Sequence, residues 1–236
     1  MLSRFKILKI MGSIFTPDFS FSDSLGLLNL FQELSGKRFD GELFSTPIPQ
    51  DAPAEIPRMI IYSRDKAWKL EISLERTNIV FQQLSDFSIS PPETQDFANF
   101  VSDVFKPYKN KTTIRIQRLA LVTERCLEMP GESPPQYIAS TYCKEQYLKA
   151  PFNNPSSFEL HSLKTYEWKG FQINSWVRLR STKLSDPAQT SILLVINDLN
   201  TLGKDLAATV SFEEQDIDRF FKNAPNHLNE ILGLYF

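Results

Sequence analysis

Histidine and cysteine, the side chains most readily turned to acid–base or nucleophilic chemistry near neutral pH, are scarce in this chain. Two histidines, His161 and His227, and two cysteines, Cys126 and Cys143, are all there are of these two types in 236 residues. A general base must sit within hydrogen-bond reach of the proton it removes. His161 falls in a run that alternates like a strand, and His227 falls in an amphipathic helix beside Asn226. Neither has a nucleophile beside it, so both read as surface or rim histidines. Nothing flanking the cysteines marks a catalytic thiol, and free cysteines usually behave as small buried hydrophobes. Two cysteines form neither a disulfide framework for a domain of this size nor a zinc spacing. No metal or cofactor is expected, and a reducing, cytoplasmic setting is the simplest reading.

Phosphate loops need clustered glycines. The eight here are scattered, and Gly203-Lys204 lacks both the upstream glycine and the following Ser or Thr. Asp198, Asn200 and Asp205 follow an aliphatic run. Their spacing is not that of an EF-hand, and they read as a solvated loop. Glu213, Glu214 and Asp216 crowd one helix start, which the helix dipole explains without chemistry.

The strongest candidate surface is non-catalytic. Trp176, Arg178 and Arg180 alternate with Val177 and Leu179. If the valine and leucine face a core, the tryptophan and arginines share the other side of a strand. Arg115 and Gln117, in a run read as a strand from Thr113 to Thr123, could join them. Aromatic plus arginine is the composition of single-stranded nucleic-acid platforms and of protein hot spots. The plain alternative is the wet side of an antiparallel sheet. The candidate binding residues are therefore Arg115, Trp176, Arg178 and Arg180.

The elements that must position these residues are legible as patterns. Met59 to Ser63 is apolar, Trp68, Leu70, Ile72 and Leu74 alternate with polar residues, and a third strand begins near Ile79. Ser90-Pro91-Pro92-Glu93 reads as a capping-box start to a helix that Pro107 ends. Ser133-Pro134-Pro135-Gln136 repeats that grammar. Residues 158–168 and 171–181 form a hairpin about Lys169-Gly170, and a further strand runs from Ile192 to Asn197. Ser211 with Glu214 caps a last helix whose apolar face is Ile217, Phe220, Phe221, Ala224, Leu228, Ile231 and Leu232, with Pro225 expected to kink or split it. A strand before residue 22 and a helix from about Asp23 to Leu34 complete the first half.

The order predicts an α+β protein of one compact unit: a two-layer, antiparallel sheet with helices on one face, built from a βαβββα unit used twice, over residues 1–110 and 111–236. In order of elements it is similar to the TATA-binding-protein saddle. Hydrophobic residues are 42% and charged residues 23%, ordinary for a folded domain, and the net charge of -2 gives no general pull on nucleic acid. The longest aliphatic run, Ile192 to Ile196, falls well short of the ~20 residues of a membrane span. Lys6 and Lys9 interrupt the N-terminal apolar stretch and Asp18 follows it, so it reads as a strand and not a signal peptide, with Met1 or Met11 as the start.

Several segments resemble a family of uncharacterised, sporadically distributed bacterial proteins of about this length. They are Ile56-Pro57-Arg58, Ser63-Arg64-Asp65, Gln117-Arg118-Leu119-Ala120-Leu121, Leu194-Val195-Ile196-Asn197-Asp198, His227 and Phe236. Ala120 and Val122 stand where that family has a glycine and a tyrosine. The resemblance supplies no activity and no site residues; its patchy distribution implies a defence, conflict or toxin–antitoxin setting. The expected function is a non-enzymatic interaction or regulatory protein with a protein partner and no membrane. A single-stranded nucleic-acid binder is the first alternative and a hydrolase with an unrecognised site the second.

Overall fold

A computed structural model describes the chain except residues 1–3, 18, 20–22, 46–48, 50–51, 85–87, 113, 150–152, 185–188 and 204–210. The first half comprises β1 (Lys6–Phe15), α1 (Ser24–Leu34), β2 (Leu43–Ser45), β3 (Met59–Tyr62), β4 (Trp68–Ile72), β5 (Arg76–Gln82) and α2 (Thr94–Thr112). The second comprises β6 (Arg118–Glu128), α3 (Pro134–Tyr142), a 3-10 turn at Glu145–Leu148, β7 (Glu159–Trp168), β8 (Phe171–Lys183), β9 (Ser191–Thr201) and α4 (Glu214–Leu232). The result is an α+β fold.

The nine strands among the described residues form one antiparallel sheet in the order β2-β3-β4-β5-β1-β6-β9-β8-β7. The opening strands of the two halves, β1 and β6, pair at its centre, from Lys6 with Cys126 to Phe15 with Arg118. Each is flanked by the last strand of its own half, and the meanders run outward. The halves are not equal, because β2 gives the first five strands against four in the second. The expected matching of strand counts therefore fails, and the order of pairing alone does not establish a duplication.

Alternation decides which side of each strand meets the helices. On β1, Ile10 and Ile14 are fully buried, and a Cβ on Gly12 would stand 2.7 Å from Cγ1 of Val101 in α2. A glycine is what lets that helix lie on the central strand. Leu121 of β6, Leu199 of β9 and Val177 and Leu179 of β8 continue the same face, as do Leu70 and Ile72 on β4 and Ile79 and Phe81 on β5. These residues join Phe31 of α1, Phe97, Val101 and Phe105 of α2, Ile138 of α3 and the apolar face of α4 in one core. That core runs through both halves, across the boundary near residue 110, which falls in the last turns of α2.

Local chemistry explains most helix ends and corrects several expectations. Asp23 caps α1 by accepting from Gly26 N at 2.8 Å. Ser133 caps α3, with Pro134 as its first residue, as the Ser-Pro-Pro pattern predicts. The other Ser-Pro-Pro does not start a helix: α2 begins at Thr94, and its first bond runs from Phe97 N to Glu93 O. Pro107 does not end α2, which continues to Thr112. A proline removes one amide donor, and the packing of α2 on α4 and the sheet offsets that single loss. For the same reason Pro225 sits buried inside an undivided α4. That helix is capped by Glu213 and Asp216 in reciprocal bonds, while Ser211 instead accepts from Ile116 N at 3.0 Å. The β7–β8 turn is Lys169-Gly170, with φ of 51° and 79°, as a two-residue hairpin requires. No helix among the described residues is long and apolar enough to cross a membrane.

Candidate functional site

The sheet face opposite the helices carries the candidate surface. Among the described residues no helix packs on it; its own apolar patch is made of strand residues Cys126, Ile192 and Leu194 with Leu8, Leu184 and Ile196 around them. Cross-strand register orders its side chains into rows. One row runs Tyr62, Lys69, Val80, Met11, Val122, Asp198, Trp176 and Leu163. A parallel row carries Glu71, Asn78, Ser13, Ala120, Asn200 and Asn174.

Three of the four residues expected from sequence meet here. Val177 is 1% exposed and Leu179 fully buried against the helices, so Trp176, Arg178 and Arg180 point to the other face. Trp176 is half-buried between Asp198 and Leu163, and the Arg178 guanidinium lies 5.1 Å from the centre of its ring. Arg178 is half-buried and paired with His161, while Arg180 is exposed and paired with Glu159. Arg115 is not brought to them. The strand begins at Arg118 and not at Thr113, which lies outside the described residues, so Arg115 and Gln117 precede the ladder. Arg118 faces the open side in their place: its guanidinium covers the Phe15 ring at 4.7 Å, and its Nη2 donates to Asn200 Oδ1 at 2.9 Å.

Asp198 and Asn200 are a second correction. Both lie within β9 and not in a loop; Asp205 and Lys204 fall outside the described residues. Asn200 Nδ2 donates to Asp198 Oδ1 at 2.9 Å, so a chain of bonds runs Arg118, Asn200, Asp198 along the open face. Burial holds the Asp198 carboxyl above the ordinary aspartate range, while the bond from Asn200 and the charges of Arg178 and Arg118 pull the other way without cancelling it. The folded state therefore keeps this proton at a pH where the unfolded chain has lost it. Stability from this group is present below the unfolded value and is lost as pH rises through the folded one. Asp198→Asn is expected to remove that loss, so the variant should gain on the parent as pH rises above the ordinary aspartate range in urea unfolding. Parallel pH profiles for the two proteins would refute it.

Two ion pairs lie on the remainder of the face, and Arg76, opposite Phe15 at its edge, forms none among the described residues. Lys9 pairs with Glu124 at 3.1 Å and Lys69 with Glu71 at 2.7 Å. Asn78 accepts from Ser13 at 2.8 Å and donates to Glu71 at 3.1 Å. At the two ends the face turns apolar. Phe44, 51% exposed, meets Tyr62 edge-on at 5.7 Å near β2, and Leu163, 48% exposed, stands beside Trp176 near β7.

The histidines and cysteines are placed elsewhere or quietly. His161 is exposed, 3.4 Å from Glu159. His227 lies on the helix side, stacked on Trp168 at 4.8 Å, between the Tyr166 hydroxyl at 2.6 Å and Glu230 at 2.9 Å. Where Glu230 accepts from Nδ1–H, Nε2 accepts a hydrogen bond from the tyrosine hydroxyl, and the two bonds tie α4 to the β7 edge. Cys126 is fully buried, and burial pushes its thiol up to about 11, so it is protonated at neutral pH and no nucleophile. No group of three or more His, Cys, Asp or Glu among the described residues is placed to hold a metal ion.

Compared with known proteins, the chain matches no family model and no curated sequence. The likeness to a sporadic bacterial family rests on the quoted residues alone.

Proposed function

We propose that this chain works by binding, and that the open sheet face grips a protein partner. One observation carries the reading: two ends, exposed Phe44 with half-buried Tyr62 and exposed Leu163 with half-buried Trp176, bracket the Lys9–Glu124 and Lys69–Glu71 ion pairs. Trp, Tyr and Arg anchors set among polar groups are the make-up of protein hot spots. A nucleic-acid track would need unpaired cations in series. Here the two lysines of the face, Lys9 and Lys69, are spent on carboxylates and interrupt the series, while Arg118 keeps its charge beside the neutral Asn200. The stacked Arg178–Trp176 pair favours the second reading, a single-stranded nucleic-acid binder, and marks where it would act. A regulatory role in a bacterial conflict system is the setting the sequence resemblance suggests.

The test is purification of the chain with its partner from the native host, followed by direct binding measurements on the double variant Trp176→Ala/Arg178→Ala. Binding should weaken roughly 30-fold or more, as for loss of a hot spot, with the unfolding midpoint nearly unchanged. Unaltered binding would sink the proposal. Salt separates the readings: a loss of about 10³ in affinity between 50 and 200 mM salt, with nucleic acid in the purified complex, would replace the protein partner with a nucleic acid.

A further inference from the structure

A second feature lies on the opposite, helix-bearing side and is independent of the open face. Where the start of α2 meets α4, the layers leave a cleft of about 730 Å3. That volume is in the range of metabolite sites, roughly 300–1,000 Å3. Its walls include Thr94 and Gln95 from the first turn of α2, Gln83 after β5, Arg125 of β6 and Asn229 of α4.

Among the described residues, Arg125 is a buried cation with no counter-ion. It is 8% exposed. Its Nη2 donates to Asn229 Oδ1 at 2.9 Å and to Thr94 Oγ1 at 3.4 Å, both neutral acceptors. Its Nε is buried with no hydrogen-bond partner among the described residues. Among the described residues, the one carboxylate whose charge acts on it is Glu93, an exposed residue just before α2 that forms no ion pair with it. A guanidinium taken out of water without an opposite charge is costly, and an anionic group brought to it would offset that cost. Gln83 adds to the anomaly, since both its Oε1 and Nε2 are buried without partners. The third contribution is the nineteen-residue helix α2, whose first-turn N–H groups lack intrahelical acceptors and carry the positive end of its dipole.

A formal positive charge, an amide and a helix N-terminus around one cavity form a donor-rich site for negative oxygen. We propose that this cleft binds an oxyanion, the carboxylate or phosphate group of a small ligand, with Arg125 as its counter-ion and Gln83 and the first turn of α2 as hydrogen-bond donors. Glu93 at the mouth opposes a second negative charge, so the site selects a ligand whose anionic group enters first.

Thermal melting of the full chain in sodium phosphate and in sodium acetate, each against sodium chloride of equal ionic strength, tests this. A ligand that binds only the folded state raises the melting temperature along a saturable curve. Such a curve is expected with at least one of the two probes; phosphate alone, acetate alone or both would mark the site for phosphate-bearing, carboxylate-bearing or either kind of ligand. Arg125→Gln should weaken the response roughly tenfold or more, as for loss of a charged hydrogen bond. Glu93→Gln, at an exposed position, should strengthen it, an outcome that damage to the fold cannot mimic. No stabilisation beyond chloride, an unaltered response in Arg125→Gln, or an unaltered or weaker one in Glu93→Gln would overturn the proposal. Should Arg125→Gln not fold, the Glu93→Gln result decides.

Discussion

Phe221→Ala is expected to lower the unfolding free energy by ~3–5 kcal/mol, the range for deleting a fully buried phenylalanine and leaving a cavity. Phe221 has no exposed surface and packs edge-on to Phe220 at 5.2 Å and against Phe105 of α2 at 6.1 Å. The loss falls on the α2–α4 contact, which ties the helix layer of one half to that of the other. The surroundings cannot collapse into the gap without moving a nineteen-residue helix that also buries Ile217, Phe220, Leu228 and Leu232. Phe221→Leu keeps most of the volume and should cost less than ~1.5 kcal/mol. Urea or thermal unfolding of the two variants checks this. A Phe221→Ala loss under ~1 kcal/mol would show that α4 is not part of the core.

Trp68→Ala should cost a similar ~3–5 kcal/mol, for a different reason. The indole is held from several sides: stacked on Phe97 at 5.5 Å and 18°, edge-on to Phe81 and Phe100, and covered by the Arg38 guanidinium at 4.5 Å. It clamps the first turns of α2 onto β4 and β5, so its removal loses both area and ring-to-ring geometry, the latter worth about 0.5–1.5 kcal/mol per aromatic pair. Arg38→Ala removes only the exposed lid and should cost under ~1 kcal/mol. If Arg38→Ala were as damaging as Trp68→Ala, the cation and not the ring packing would hold this corner.

The fold was legible where one face of an element is dry and the other wet. Trp68, Leu70 and Ile72, and again Val177 and Leu179, alternate with polar residues and lie as the pattern requires. The face of α4 is read correctly for the same reason. Reading failed where both faces are half-dry or where punctuation misled. Arg118 to Glu128 is buried on both sides in places, Cys126 on one and Leu127 on the other, so the strand has no clean period and its start was set five residues early. Asn197-Asp198-Leu199-Asn200 looks like a turn by composition, yet it is central strand, because Asn197 finds the Leu228 carbonyl at 2.8 Å and Asn200 finds Asp198 and Arg118. Leu228 and Arg118 are remote in sequence, and single-sequence patterns do not carry such distances. The candidate site divides the same way. Trp176, Arg178 and Arg180 were visible from alternation, whereas Asp198, Asn200 and Arg118 needed the sheet, and Arg125 in its cleft needed two helices and a strand to meet.

The β1–β6 seam also sets an order of events during synthesis. When the ribosome has made α2, β1 can pair with β5, and the first meander can close under its helix. The opposite edge of β1 then has no partner until residues 118–126 emerge. Until that moment a strand reading Lys-Ile-Leu-Lys-Ile-Met-Gly-Ser-Ile-Phe shows an unpaired backbone to every neighbouring chain. Lys6 and Lys9, which later find Glu128 and Glu124 on β6, are then two charges on that strand without those partners. Charge on an edge is what discourages pairing with the wrong strand, so the same lysines that fasten the finished seam guard it while it waits.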